Sequence, residues 1–458
     1  MNLNCKLFFK IIFLLSIPII TLIIRSFNIE DGQTICLFNN ILGVNCYGCG
    51  ITKAILAFLN GEFYKALNYN TNVIFVLPVL MFIWFKQFAM LFSKHINHYH
   101  IGVAAFILFS GCSTIASKLI PLKDLPKPNG KYGIGTQIFT WIDDNREETF
   151  TVEVGDKRKL SIQVWYPAEV SGKNYYPYLD NANKRIPPIA KRIEVPALIL
   201  SGVKNVKTHS ELNAKPIIGE FPLILFSHGL GGMKVQNTIQ VEELVSNGYI
   251  VVASDHTYDA NITIFQDGSI AEFRAGYDES ISYTEQQFYD FRIPQINIRA
   301  ADMSFMLNKI EDLQRLGGLW SNIDMSSVGV FGHSFGGGTA VVSSYNDKRI
   351  DACIALDGWI KPVPNLILEN GIDVPFMFIG QEKWTDEVNY LKLDQLIENS
   401  SEENYKILIQ NTMHFDYTDS PYFSDLSKRV GISGSMEADD IVDTLNFHIN
   451  TFFKSHLH

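Results

Sequence analysis

The chain has 458 residues, a formal net charge of −10 and no large basic patch, which excludes nucleic acid as an expected partner. Charged residues make up 19% of the whole but are scarce before about residue 120 and common after it, so a membrane-like segment precedes a soluble one. Five of the six cysteines (Cys5, Cys36, Cys46, Cys49 and Cys112) fall in the first part; Cys353 stands alone in the second, which therefore cannot hold an internal disulfide.

Three parts are expected: a membrane segment over 1–120, a linker and leading loop over 121–150, and a catalytic domain over 151–458. Residues 7–24 and 73–92 are apolar runs interrupted by Lys10 and Lys86, each close to the roughly 20 residues that span a bilayer. Lys6 and Lys10 at the first and Lys86 and Lys94 at the second put those ends in the cytoplasm. A third run, 101–117, has two readings. It is a further span or re-entrant helix, or FSGCS around Cys112 is a bacterial lipobox with that cysteine lipidated. Either way the soluble part is tethered on the extracytoplasmic side of the membrane.

Between the first two spans, Cys46, Cys49, Gly50 and Thr52, with Cys36 upstream, resemble a small uncharacterised bacterial membrane family. That family usually has a proline between the cysteines and an arginine where Lys53 stands. The three thiols could ligate a metal or form a disulfide, but no fourth ligand is evident, and packing of a helix start explains them as well.

Residues 121–150 are rich in proline and glycine and read as a linker. After them, short β-type runs at 159–165, 222–226, 249–253, 327–331, 352–356, 375–379 and 405–409 alternate with helical patterns such as VEELVSNG and INIRAADMSFMLNKIEDL. Apolar strands separated by helices predict a mostly parallel sheet covered on both faces, with ligands at the carboxyl ends of the strands. Two insertions, 171–219 and 258–294, are rich in aromatic residues and read equally as a lid over a substrate pocket or as packing against the domain.

The chemistry gathers at those strand ends. GHSFGGG puts Ser334 between Gly332 and Gly336, the pattern of a nucleophile elbow: a sharp strand-to-helix turn that lifts the hydroxyl above the sheet and tolerates no bulk two positions either side. Asp357 ends the next strand and His414 follows the last, so the chain order is Ser, Asp, His, as in an α/β-hydrolase. In this pattern His414 is the base, Asp357 orients it and Ser334 attacks an ester carbonyl. The loop SHGLGG exposes backbone N–H groups after a strand, so the amides of Leu230 and Phe335 are candidate oxyanion donors. His228 is read as shaping that loop, and His333 as packing. His256 and Asp259 could line the pocket without an assigned role. Glu382 and Asp386, one strand later, are the alternative acids.

HGLGG, SNGYIVVASDH, GHSFGGGTA, IALDGW, the Met413–His414 pair and QVWYPA together resemble the platelet-activating factor acetylhydrolases of the plasma and intracellular type II group, from about residue 128 onward. The resemblance implies an α/β-hydrolase fold, the triad Ser334, Asp357 and His414, and oxyanion donation by Leu230 and Phe335. It also implies hydrolysis of short or oxidised sn-2 acyl chains of glycerophospholipids, with no metal or organic cofactor. Bacterial relatives are often general esterases. A peptidase of the same fold and a non-catalytic membrane binding protein are the rival expectations.

Overall fold

The computed structural model describes residues 122–457 apart from 194–196, 198, 275–283, 385, 425 and 430, together with the isolated positions Ala54 and Ala66. The three apolar runs, Cys112 and the loop bearing Cys36, Cys46 and Cys49 lie outside the described residues. Among the described residues no helix is long and apolar enough to cross a membrane. Residues 120–189 and 201–458 form one compact unit.

Its strands are β1 (Gly133–Glu147), β2 (Lys157–Glu169), β3 (Tyr175–Pro177), β4 (Lys207–Leu212), β5 (Lys215–Pro216), β6 (Phe221–Ser227), β7 (Ile250–Asp255), β8 (Ile262–Ile264), β9 (Ile270–Glu272), β10 (Ile323–His333), β11 (Ala352–Leu356), β12 (Phe376–Gln381) and β13 (Asn404–Ile409). Its helices are α1 (Ala182–Arg192), α2 (Thr238–Ser246), α3 (Glu285–Gln314), α4 (Phe335–Asn346), α5 (Asn365–Asn370), α6 (Val388–Asn399), α7 (Ser420–Phe423), α8 (Leu426–Arg429) and α9 (Ala438–His456).

One sheet runs β13-β12-β11-β10-β6-β7-β2-β1-β4-β3, with β5 paired to β2. From β13 to β7 every pairing is parallel, while β2 joins β7 and β1 antiparallel. The inner strands are buried almost end to end, as the unbroken apolar runs LILF, IVVA and CIAL require of strands covered on both faces. The chain leaves β6 for β7 on one side, then returns through α3 to lay β10 on the other side of β6. The topological switch point therefore lies between the ends of β6 and β10, where ligands of open α/β sheets bind.

Two features depart from the sequence reading. The stretch read as linker contains β1, a 15-residue strand whose partner is β2 in register from Gly133↔Ala168 to Asp143↔Arg158. Its core, TQIFTWI, is β-branched and aromatic, and the proline and glycine signal belongs only to the residues before it. Helix α3 also begins well before the expected segment. Thr284 caps it by accepting from Gln287 N at 3.2 Å while the Gln287 side chain accepts from Thr284 N at 2.9 Å, and the helix runs on through Pro294. In the other insertion, Tyr178 packs edge-on against Phe423 at 4.8 Å, so that aromatic side chain is a packing residue.

Candidate active site

The sharp turn after β10 is built from backbone constraints. Ser334 has φ 56° and ψ −121°, a region that costs a non-glycine residue about 1–3 kcal/mol and persists only where the surroundings over-determine it. Here they do: Ser334 N donates to Leu356 O at 3.0 Å, and Ser334 O accepts from Gly337 N at 2.9 Å and Trp359 N at 2.7 Å. A Cβ on Gly332 would lie 2.2 Å from Gly336 O, and one on Gly336 would lie 2.0 Å from Ser227 O. No side chain fits at either place, so both glycines are dictated by the backbone of the turn and of β6. The extra glycines continue the theme, since a Cβ on Gly338 would meet Trp359 O at 2.5 Å.

His414 opens a short turn after β13. Its Nδ1 is 2.5 Å from Asp357 Oδ2. Asp357 follows β11, is wholly buried, and carries a positive φ of 40°. Its carboxylate also accepts from Gln381 N at 3.1 Å, Gln381 Nε2 at 2.8 Å and Trp384 Nε1 at 2.9 Å. Because a carboxylate only accepts, His414 carries a proton on Nδ1, which leaves Nε2 as the basic nitrogen. The Trp384 ring stands edge-on to the imidazole with centroids 5.0 Å apart. Asp386, an alternative acid, instead pairs with Lys361 at 2.6 Å.

His333 ties the two halves of the site. Its ring lies 4.6 Å from that of His414, and its Nε2 is 2.9 Å from His414 O. Its Nδ1 accepts from Gln236 Nε2 at 2.8 Å, so Nε2 bears the hydrogen that the carbonyl accepts. Burial, then the nearby His414, push its basicity well below that of an ordinary histidine, so it stays neutral. Sequence reading made it a packing residue; the structure adds that it holds the backbone of His414. The Ser334 hydroxyl and the His414 imidazole are not hydrogen-bonded to each other in this structure.

The H-G-L-G loop leans on the turn, with the Cβ direction of Gly229 pointing at Ser334 Cβ, 3.4 Å away. Phe335 N–H, in the first turn of α4, makes no hydrogen bond among the described residues, as expected of a helix-opening donor. His228 accepts from His256 N on Nε2 at 3.1 Å and faces Gly229 O through Nδ1 at 2.7 Å, which makes it a neutral loop-shaping residue. Burial first, then Arg299 and His256, hold its basicity well below the usual value. His256 and Asp259 are both fully buried beneath this loop, where Asp259 O accepts from Gly231 N at 3.0 Å.

Sequence reading missed Gln381 and Trp384, which clasp Asp357. The signal was Gly380: a Cβ there would fall 2.6 Å from Asp357 Oδ1, so the glycine leaves room for the carboxylate. Cys353 is free and buried, its thiol pushed up to about 12 by burial, and it has no part in the site. Among the described residues no group of histidine, cysteine and carboxylate side chains could hold a metal ion.

Comparison with known proteins assigns most of the chain to a family. Residues 120–458 match the family described as platelet-activating factor acetylhydrolase, isoform II, and residues 36–84 match one described as a protein of unknown function (DUF2752). The platelet-activating factor acetylhydrolase of Canis lupus familiaris is 27% identical over 372 residues, 75% of this chain and 79% of that protein. That of Gallus gallus is 26% identical over 282 residues, 56% of this chain and 67% of that protein. Among solved structures, a ferulic acid esterase from Streptomyces cinnamoneus superposes with a TM-score of 0.59 at 25% identity, covering 74% of this chain and 93% of that one. From residue 120 to its end the chain therefore belongs to the platelet-activating factor acetylhydrolase isoform II family, and it is a carboxylic ester hydrolase with an α/β-hydrolase fold.

Proposed function

We propose that this enzyme hydrolyses the short or oxidised sn-2 acyl ester of glycerophospholipids through an acyl-enzyme on Ser334. His414 Nε2 takes the proton of Ser334 Oγ as the oxygen attacks the ester carbonyl carbon. The carbonyl oxygen becomes an oxyanion that accepts from the N–H groups of Leu230 and Phe335, each such donor being worth about 3 kcal/mol in the transition state. As the C–O bond breaks, His414 returns the proton to the departing alcohol. A water then attacks the acyl-serine with His414 again as base, releasing the carboxylic acid and restoring Ser334. Asp357 stays ionised throughout and stabilises the imidazolium.

The observation that carries this reading is the 2.5 Å contact of His414 with a buried, four-fold hydrogen-bonded Asp357, beside a serine held at positive φ. The distance between the hydroxyl and Nε2 is expected to close when substrate binds, as catalytic hydrogen bonds commonly do. Met413 and Phe415 flank His414 with exposed apolar side chains, which suits an acyl chain or a lipid surface. The apolar runs before residue 120 support a membrane tether with the enzyme on the extracytoplasmic side.

A second reading, a general carboxylesterase that also takes esters of aromatic acids, is favoured by the likeness to the ferulic acid esterase. Fluorophosphonate labelling tests the nucleophile: the wild type should react and Ser334→Ala should not. Turnover of p-nitrophenyl esters of rising chain length, a feruloyl ester and a short-chain phosphatidylcholine then separates the substrates. A preference for the feruloyl ester over the phospholipid would replace the first reading by the second.

A further inference from the structure

Behind the H-G-L-G loop lies a second serine, histidine and aspartate array. Ser227 Oγ is 3.0 Å from His256 Nε2, and His256 Nδ1 is 2.9 Å from Asp302 Oδ2. All three are fully buried, so no ester can reach them and the array is not a second active site.

Every proton in it is assigned by elimination. Asp302 only accepts, and it takes both Nε and Nη2 of Arg158 at 3.0 and 2.7 Å, so His256 must donate through Nδ1 and accept on Nε2. The Ser227 hydroxyl therefore donates to Nε2, and its oxygen accepts from Arg299 Nη2 at 3.1 Å. The same guanidinium nitrogen also donates to His228 O. His256 N occupies His228 Nε2, so His228 donates through Nδ1 to Gly229 O, which Gly232 N holds as well at 2.9 Å.

Two successive loop carbonyls are thus held by donors that trace back to α3 and β7. In a trans peptide the N–H points opposite to the preceding C=O. Fixing Gly229 O into its turn therefore fixes Leu230 N–H outward from it.

We propose that the chain Arg299–Ser227–His256–Asp302 is a positioning device that sets the peptide orientations of the oxyanion loop. The inference rests on the reading of Leu230 N–H as an oxyanion donor. Burial, reinforced by the charge of Arg299, holds His256 down to about 4, so the array keeps one hydrogen-bond polarity across the working range of an esterase. Side chains in the array touch no substrate; they act through the loop.

The test uses the full chain and three variants, Ser227→Ala, Arg299→Lys and Ser334→Ala, with p-nitrophenyl acetate as substrate and an alkyl trifluoromethyl ketone as inhibitor. The ketone forms a hemiketal with the nucleophile whose oxygen occupies the oxyanion position. Ser227→Ala removes one hydroxyl and Arg299→Lys keeps the charge but not the paired donation to Ser227 and His228, so one fold-preserving variant suffices. In a variant whose unfolding midpoint stays near that of the wild type, kcat should fall about tenfold or more with KM within about twofold. The inhibition constant of the ketone should rise by the same factor as kcat falls. Unchanged kcat, or a fall in kcat with ketone affinity intact, overturns the positioning role while an inactive Ser334→Ala leaves the acyl-enzyme reading standing. An active Ser334→Ala overturns both.

Discussion

At the scale of single residues, the site depends on how a buried carboxylate finds hydrogen-bond donors. Asp357 has no solvent to stabilise it, so three donors besides His414 take the place of water, among them the indole N–H of Trp384. A hydrogen bond to a charged group is worth about 1.5–3 kcal/mol, part of which is shared with the remaining donors. Trp384→Phe keeps a ring beside His414 but deletes that donor. Its kcat/KM is expected to fall about tenfold with fluorophosphonate labelling slowed to match; an unchanged rate would mean the indole only packs. Asp357 and His414 were legible in the sequence because each stands at the end of a β-type run in a recognisable order. Gln381 and Trp384 were not, because Gly380 marks only a close approach and does not say which side chains turn back across the strand end to meet a residue 24 or 27 positions earlier. The same holds for Ser227, His256 and Asp302, which meet only once β6, β7 and α3 have packed.

At the scale of elements, the unit that matters is strand β10, its turn and helix α4. The glycines are set by backbone approach rather than by flexibility: the Cβ that alanine would add at 336 meets backbone oxygen from β6, which cannot swing aside as a side chain end could. Gly336→Ala must separate β6 from α4, and a loss of about 3 kcal/mol with abolished labelling is expected from denaturant unfolding. Gly268→Ala is the contrast. Its φ of +81° strains any L residue, but no atom lies within 4 Å, so a cost of about 1 kcal/mol with full activity is expected. Equal losses at the two sites would remove the argument from backbone approach. The elbow was legible because its glycines are contiguous in sequence. Strand β1 was not, because the prolines and glycines preceding it masked a run whose alternation is itself interrupted by Gly135. That glycine is required by the neighbouring strand, where a Cβ would meet the Tyr166 ring at 2.5 Å.

At the scale of the whole molecule, the carboxyl edge of the sheet concentrates histidines that fold in as neutral groups. His228, His256 and His333 are buried, and burial is the first cause of lowered basicity in each. Depressed basicity in the folded state makes the unfolded chain the better proton acceptor below about pH 6.5. The stability these residues contribute is thus fully present above that pH and is lost as the pH falls toward their folded values. Each loses about 1 kcal/mol between pH 6.5 and 5.5 by this linkage. Buried carboxylates titrate too: Arg158 and its hydrogen bonds hold Asp302 far below the usual range despite burial, whereas burial raises Asp259 and Asp419. A comparison within one pair of proteins cancels them. His333→Gln removes a single histidine from the balance, so the stability gap between wild type and variant should narrow by about 1 kcal/mol as the pH drops from 6.5 to 5.5. Urea unfolding at the two pH values measures it. A gap that stays constant would mean that His333 gains its proton as easily folded as unfolded, and that the contact holding the His414 carbonyl does not need a neutral ring.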